Sequence, residues 1–146
     1  MVQIEPELLK LFGFWSSVLV IKLLLMPILT AQQRMKKKVF ANPEDVAFTG
    51  KKAKLIYDDP DVERVRRAHL NDLENILPWF IITSIWITTS PSLYVAGLLI
   101  PIFVIARIVH TFSYAILAQQ PTRAIAYFVA LVPILYETVA SLIYYM

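Results

Sequence analysis

Cysteine is absent from the 146-residue chain. No disulfide, thiolate metal site or cysteine nucleophile can therefore come from it. Glycine is scarce, with three residues against nine prolines. No internal repeat and no low-complexity segment is visible, which argues against a small transporter subunit built from repeated halves. The N-terminal MVQIEPE is acidic and places no basic region ahead of the first apolar run, so a cleaved signal peptide is not expected. Nucleic-acid binding is not expected either, because no fold signature accompanies the basic residues.

What the chain has in quantity is apolar sequence. It is 58% hydrophobic with a mean hydropathy of +0.60, too apolar for a typical soluble domain of this size. Four apolar segments stand out, each close to the roughly 20 residues needed to cross a hydrocarbon layer about 30 Å thick. Helices satisfy their own backbone there, whereas an open sheet edge could not be hydrated. The predicted fold class is all-α: an integral membrane four-helix bundle, forming a single domain over residues 1–146. The predicted spans are about 8–35, 62–89, 93–118 and 122–145, with a polar loop over about 36–61. A soluble bundle is the alternative, but these runs leave little polar face for water.

Ten of the 14 Lys and Arg residues lie between Arg34 and Arg67, and the Thr88–Ser92 turn has none. The excess of basic residues places the first loop on the cytosolic side, with both termini opposite. Within that loop, Lys36–Lys38 read as a topology anchor near anionic lipid. Asn42-Pro43 and Asp59-Pro60 punctuate an otherwise irregular stretch, and Asp61 is the expected N-cap of the next helix.

The informative residues are polar ones carried into apolar helices. Arg67, Asn71, Glu74 and Pro78 recur at four, three and four residues and share one helical face. Pro78 removes the hydrogen-bond partner of the Glu74 carbonyl and marks a possible kink. Arg107, His110 and Tyr114 share a face of the third segment, and Arg123 and Tyr127 lie four apart on the fourth. Arg123 follows Pro121-Thr122 at a helix start, where backbone N–H groups point outward. Such residues are costly in a bilayer and usually face a bundle interior or a wet cavity. Their convergence at one membrane face predicts a pocket for a small anionic, hydrogen-bonding ligand. Glu74 suits an ammonium group; Arg67 and Arg123 suit carboxylates or a thiolate. Arg107 lies deeper and is expected in a structural ion pair, for example with Glu74. Lys22, Asp72 and Glu137 are expected in similar pairs.

FANPED (Phe40–Asp45), VERVRRAHLNDLEN (Val62–Asn75), RIVHTFSY (Arg107–Tyr114), QPTRA (Gln120–Ala124) and VIK (Val20–Lys22) together resemble the membrane-associated proteins in eicosanoid and glutathione metabolism. The resemblance covers essentially the whole chain. It implies a homotrimer with glutathione, the co-substrate, bound between adjacent subunits near the cytosolic face. It implies a multi-pass location in the endoplasmic-reticulum or outer mitochondrial membrane. Carried over by motif, the glutathione site comprises Arg34, Arg67, Asn71, Glu74, His110, Tyr114, Arg123 and Tyr127. Arg123, Asp45 and Tyr127 are the implied catalytic residues. No metal is expected.

The activity implied is a membrane-bound glutathione transferase acting on hydrophobic electrophiles, with peroxidase activity on lipid hydroperoxides. A glutathione-dependent prostaglandin E synthase is the second reading. Leu70 and Ala124 stand where the synthase branch has arginine and serine, and both favour the transferase. A lipid-binding protein without catalysis is the third reading, and it would not need the full set Arg67, Asn71, Glu74 and Arg123. The reactive sulfur would come from glutathione. A free thiol has a pKa of about 8.5, so a nearby guanidinium is expected to hold the thiolate. Arg123 is the residue expected to do so, with Tyr127 a possible hydrogen-bond donor to the sulfur.

Overall fold

The computed structural model describes residues 4–146, so Met1–Gln3 of the acidic N-terminal stretch lie outside the described residues. The described chain is mostly helical. Its elements are α1 (Pro6–Lys37), β1 (Val39–Phe40), α2 (Pro43–Thr49), β2 (Lys54–Leu55), α3 (Pro60–Trp86), α4 (Leu93–Thr111) and α5 (Thr122–Tyr145). A short 3-10 turn (Ile87–Thr89) follows α3, and a π-turn (Phe112–Ile116) follows α4. Five α-helices are therefore present among the described residues, one more than the apolar runs predict. The extra one is α2, inside the loop expected to be irregular. Pro43 fits the first turn of a helix, and Glu44 and Asp45 suit its positive end.

The four long helices pack side by side and alternate in direction. Lys22 on α1 reaches Asp72 on α3, while Lys37 further along α1 reaches Asp59 just before α3, so these two run antiparallel. Thr83 meets Glu137 and Thr88 meets Tyr145, so α3 and α5 run parallel. The core is aromatic and aliphatic. Trp79 and Phe103 stack at 4.7 Å between centroids with rings 6° apart, among Leu8, Leu19, Ile76 and Ile100. The outward faces are also apolar: Phe14, Leu24, Phe128 and Val132 are all exposed. That pattern suits a hydrocarbon solvent better than water.

Three helical stretches are long and apolar enough to cross a membrane: Pro6–Lys37, Leu93–Ile116 and Thr122–Tyr145. Four were expected. The exception is α3, whose first half carries Asp61, Glu63, Arg64, Arg66, Arg67, Asp72 and Glu74. Its apolar sequence begins only at about Leu73. Pro78 sits inside α3 without interrupting it.

The start of α3 differs from expectation. The cap is Asp59, whose Oδ1 accepts from the backbone N–H groups of Asp61 at 3.1 Å and Val62 at 3.2 Å. Pro60, which lacks an N–H and has a helical φ, belongs at the first helical position, so the cap falls one residue before it. Lys37 donates to Asp59 at 2.9 Å and also pairs with Asp61, clamping the end of α1 to the start of α3. Its hydrogen bond holds both carboxyls below their usual range. The β1–β2 pair, parallel with Val39 opposite Lys54, closes the same loop.

Candidate functional site

Asn71, His110, Tyr114, Arg123 and Tyr127 line one open cavity of about 330 Å³. Three elements position them. Asn71 projects from the middle of α3. His110 is on the last turn of α4, and Tyr114 lies in the π-turn that follows. Arg123 and Tyr127 stand on the first two turns of α5. The π-turn matters because it widens the helix just where Tyr114 must reach α5; such bulges recur at functional sites.

The cavity's one guanidinium is held by aromatic contact. Arg123 sits over the Tyr114 ring, 4.3 Å from its centroid. Tyr114 packs edge-on against His110 at 5.7 Å, and His110 faces Tyr127 at 6.5 Å. Among the described residues Arg123 makes no ion pair, and its attraction to the ring face leaves its N–H groups free for an anion. The first backbone N–H groups of α5 add partial positive charge at the same place.

Four of the predicted site residues are not in the cavity wall. Arg67 and Glu74 are exposed on α3, four residues before and three after Asn71. Arg34 is half-buried on the last turn of α1. Asp45 lies on α2, where its Oδ2 accepts from Asn42 Nδ2 at 3.1 Å. Three lining residues were not among the candidates: Gln120, Ala124 and Phe128. Gln120 and Ala124 flank Arg123 within QPTRA, and Phe128 follows Tyr127, so adjacency was the available signal.

A second polar cluster lies directly behind the cavity and is closed. Arg107 Nη2 donates to Asp72 Oδ1 at 2.6 Å and to Asn71 Oδ1 at 2.9 Å. Thr111 Oγ1 donates to Asp72 Oδ2 at 3.0 Å, and Lys22 pairs with the same carboxylate. Arg107 and Asp72 are both fully buried. The expected partner of Arg107 was Glu74, and that pairing is not found. Glu74 is two residues round the helix from Asp72 and points outward, whereas Asp72 shares the core face with Ala68 and Ile76. Lys22 and Asp72 are paired as expected, but among the described residues Glu137 is in no ion pair. Thr83 Oγ1 donates to it at 2.5 Å. Among the described residues no group of His, Asp and Glu is arranged to hold a metal ion.

Residues 12–143 match the model of the MAPEG family. The chain belongs to the MAPEG family. Over 128 residues it is 44% identical to microsomal glutathione S-transferase 1 of Mus musculus, covering 86% of this chain and 83% of that protein. The Homo sapiens protein of the same name is 42% identical over 128 residues, with the same coverage. Prostaglandin E synthase of Bos taurus is 39% identical over 127 residues, covering 87% of this chain and 82% of that protein. In this MAPEG chain the cavity offers one guanidinium, two phenols, an imidazole and two carboxamides. Such a set has the chemistry to hold a small anion through several hydrogen bonds.

Proposed function

We propose that this protein is a membrane-bound glutathione transferase that conjugates glutathione to hydrophobic electrophiles. The observation that carries the reading is Arg123: a guanidinium at the cavity wall with no carboxylate partner among the described residues, held over Tyr114. Relatives named glutathione S-transferase at 42–44% identity support it. Glutathione brings the sulfur that a cysteine-free chain lacks. Its thiol loses a proton to solvent, and the Arg123 guanidinium, which stays charged, stabilises the thiolate. Lowering the thiol pKa by two units requires roughly 2.7 kcal/mol, within reach of a charge-assisted contact in a sheltered site. The sulfur lone pair then forms the new bond to the electrophilic carbon, and the leaving group departs with the bonding pair. With a lipid hydroperoxide the sulfur attacks the terminal oxygen. That gives an alcohol and a sulfenic acid of glutathione, which a second glutathione reduces to the disulfide and water.

The membrane assignment includes α3 as a fourth span, its charged first half standing at the cytosolic face with the α2 loop. The basic loop supports that orientation. We place the protein in the endoplasmic-reticulum or outer mitochondrial membrane, consistent with microsomal relatives. A homotrimer accounts for Arg34, Arg67, Glu74 and Asp45. They lie outside the cavity of one chain, and a site shared between adjacent subunits would use them. Arg67 to Glu74 spans about 10 Å of helix rise, near the reach of an extended three-residue ligand.

The prostaglandin E synthase reading draws on the 39% identity to that enzyme. Ala124 weighs against it, since the position beside Arg123 offers the thiol no hydroxyl. The test is conjugation of glutathione to chlorodinitrobenzene by detergent-purified protein. Turnover is expected. Glutathione binding without turnover would move the assignment to the isomerase. Absence of both binding and turnover would leave a lipid-binding protein.

A further inference from the structure

Among the described residues, Asn71 belongs both to the closed ionic cluster and to the open cavity. On the buried side its Oδ1 accepts from Arg107 Nη2 at 2.9 Å; on the other it lines the cavity wall. A guanidinium has donors only. The amide oxygen must therefore face Arg107, and the amide nitrogen is left to the cavity side. Among the described residues Asn71 Nδ2 donates to no group of the chain, while the Asn71 backbone carbonyl is taken by Asn75 Nδ2 at 2.7 Å. Arg107 is itself fixed, because the same Nη2 donates to Asp72 at 2.6 Å and both residues are fully buried. Thr111 and Lys22 hold the Asp72 carboxylate from its other oxygen.

The geometry points to Arg107 and Asp72 as positioning residues that lock the Asn71 amide with its NH2 toward the cavity, so that the ligand group met there is a hydrogen-bond acceptor. This deepens the glutathione reading and rests on it: the group is a carboxylate or peptide carbonyl oxygen of glutathione. Without the lock the amide could turn and present its oxygen, which would repel such a group. The two arginines then have separate duties. Arg107 sets the direction of a donor, and Arg123 faces the sulfur.

A double-mutant cycle on glutathione binding tests this, read by calorimetry on the whole detergent-purified protein. Asn71→Ala is expected to raise the Kd about tenfold, the loss of one hydrogen bond to a charged group. Arg107→Met keeps side-chain bulk, removes the donors and leaves Lys22 and Asp72 as a balanced pair; a similar rise is expected. The double variant is expected within about twofold of Arg107→Met, since the second change has nothing left to remove. Arg107→Lys supplies the same test if the methionine variant does not fold. It keeps the charge but is shorter and lacks the planar Nη2 group that donates to Asp72 and Asn71 together. Lys22→Met disturbs the same cluster without touching the Arg107–Asn71 bond, and binding is expected within about twofold of wild type. Multiplied losses in the double variant would overturn the inference. So would a loss in Lys22→Met equal to that in Arg107→Met, which would mark a general structural effect. Wild-type protein that binds no glutathione would sink the glutathione reading and this inference with it. Wild-type binding with multiplied losses would sink this inference alone.

Discussion

Arg107 and Arg123 are neighbours in the fold and opposites in circumstance. Arg107 is fully buried and bonded to Asp72 and Asn71. Arg123 is partly exposed at a cavity, and its close contact is the face of an aromatic ring. Both are always charged. The difference lies in who supplies the anion. For Arg107 the chain does, and the result is structure. For Arg123 none of the described residues does, and on the proposed function a ligand supplies it. In a membrane helix the useful question about an arginine is therefore whether its carboxylate is already present.

If that contrast is right, removing each charge should have a different kind of effect. The largest is expected at Arg123. Arg123→Ala should cut the turnover of glutathione conjugation by about 10²–10³-fold, as for loss of one preorganised donor to a developing anion. Thermal stability should barely change. Next is Asp72→Ala, which leaves the Lys22 and Arg107 cations buried without a counter-charge. A loss of about 3–5 kcal/mol is expected, seen as a lower denaturation midpoint in detergent. An unchanged midpoint would mean that the cluster is not structural.

Glu137 sharpens the comparison from the other end of the helices. It is buried, and among the described residues its one side-chain partner is the Thr83 hydroxyl, so no ion pair there is lost when it is replaced. Glu137→Met should leave the midpoint unchanged or raise it by the equivalent of about 1 kcal/mol or more, because well-packed apolar atoms replace a buried acid. A marked fall would assign Glu137 a role beyond its one hydrogen bond.

The smallest effect concerns the exposed clamp of Lys37 with Asp59 and Asp61. Both carboxyls are held below their usual value of 3.8 by Lys37. Their contribution is therefore present above that value and lost as pH falls through the depressed one in the folded state. In Lys37→Gln the midpoint should fall less steeply below about pH 4 than in wild type. Parallel slopes would show that the clamp adds nothing.

Much of this was legible in the sequence, and for stated reasons. The long apolar runs mark where α1, α4 and α5 lie, because helices in apolar surroundings must be continuous to satisfy their backbone. Periodicity on α3 and α4 brought Asn71, His110 and Tyr114 to one side, and the QPTRA turn added Arg123. The partner of Arg107 was not legible. Asp72 and Glu74 are both acidic and differ only in which way the helix turns them, and that depends on which face of α3 packs against α4. The π-turn at Tyr114 was also hidden, since no residue in FSYAI breaks an α-helix. The apolar runs count α3 among four spans, but the residues that hold the ionic cluster and flank Asn71 dilute its hydropathy, and it is not among the three helices apolar enough to cross a membrane. The helix α2 was missed because its seven residues lie in a stretch read from its prolines and charges as loop.

The measurement closest to the central claim is the titration of glutathione bound to the protein, followed by the ultraviolet absorbance of its thiolate, in wild type and in Arg123→Ala. The account predicts a bound thiol pKa about two units below the free value of about 8.5 in wild type, and a return towards 8.5 in the variant while glutathione still binds. An equally depressed pKa in the variant would contradict it, because the thiolate would then be held by something other than Arg123.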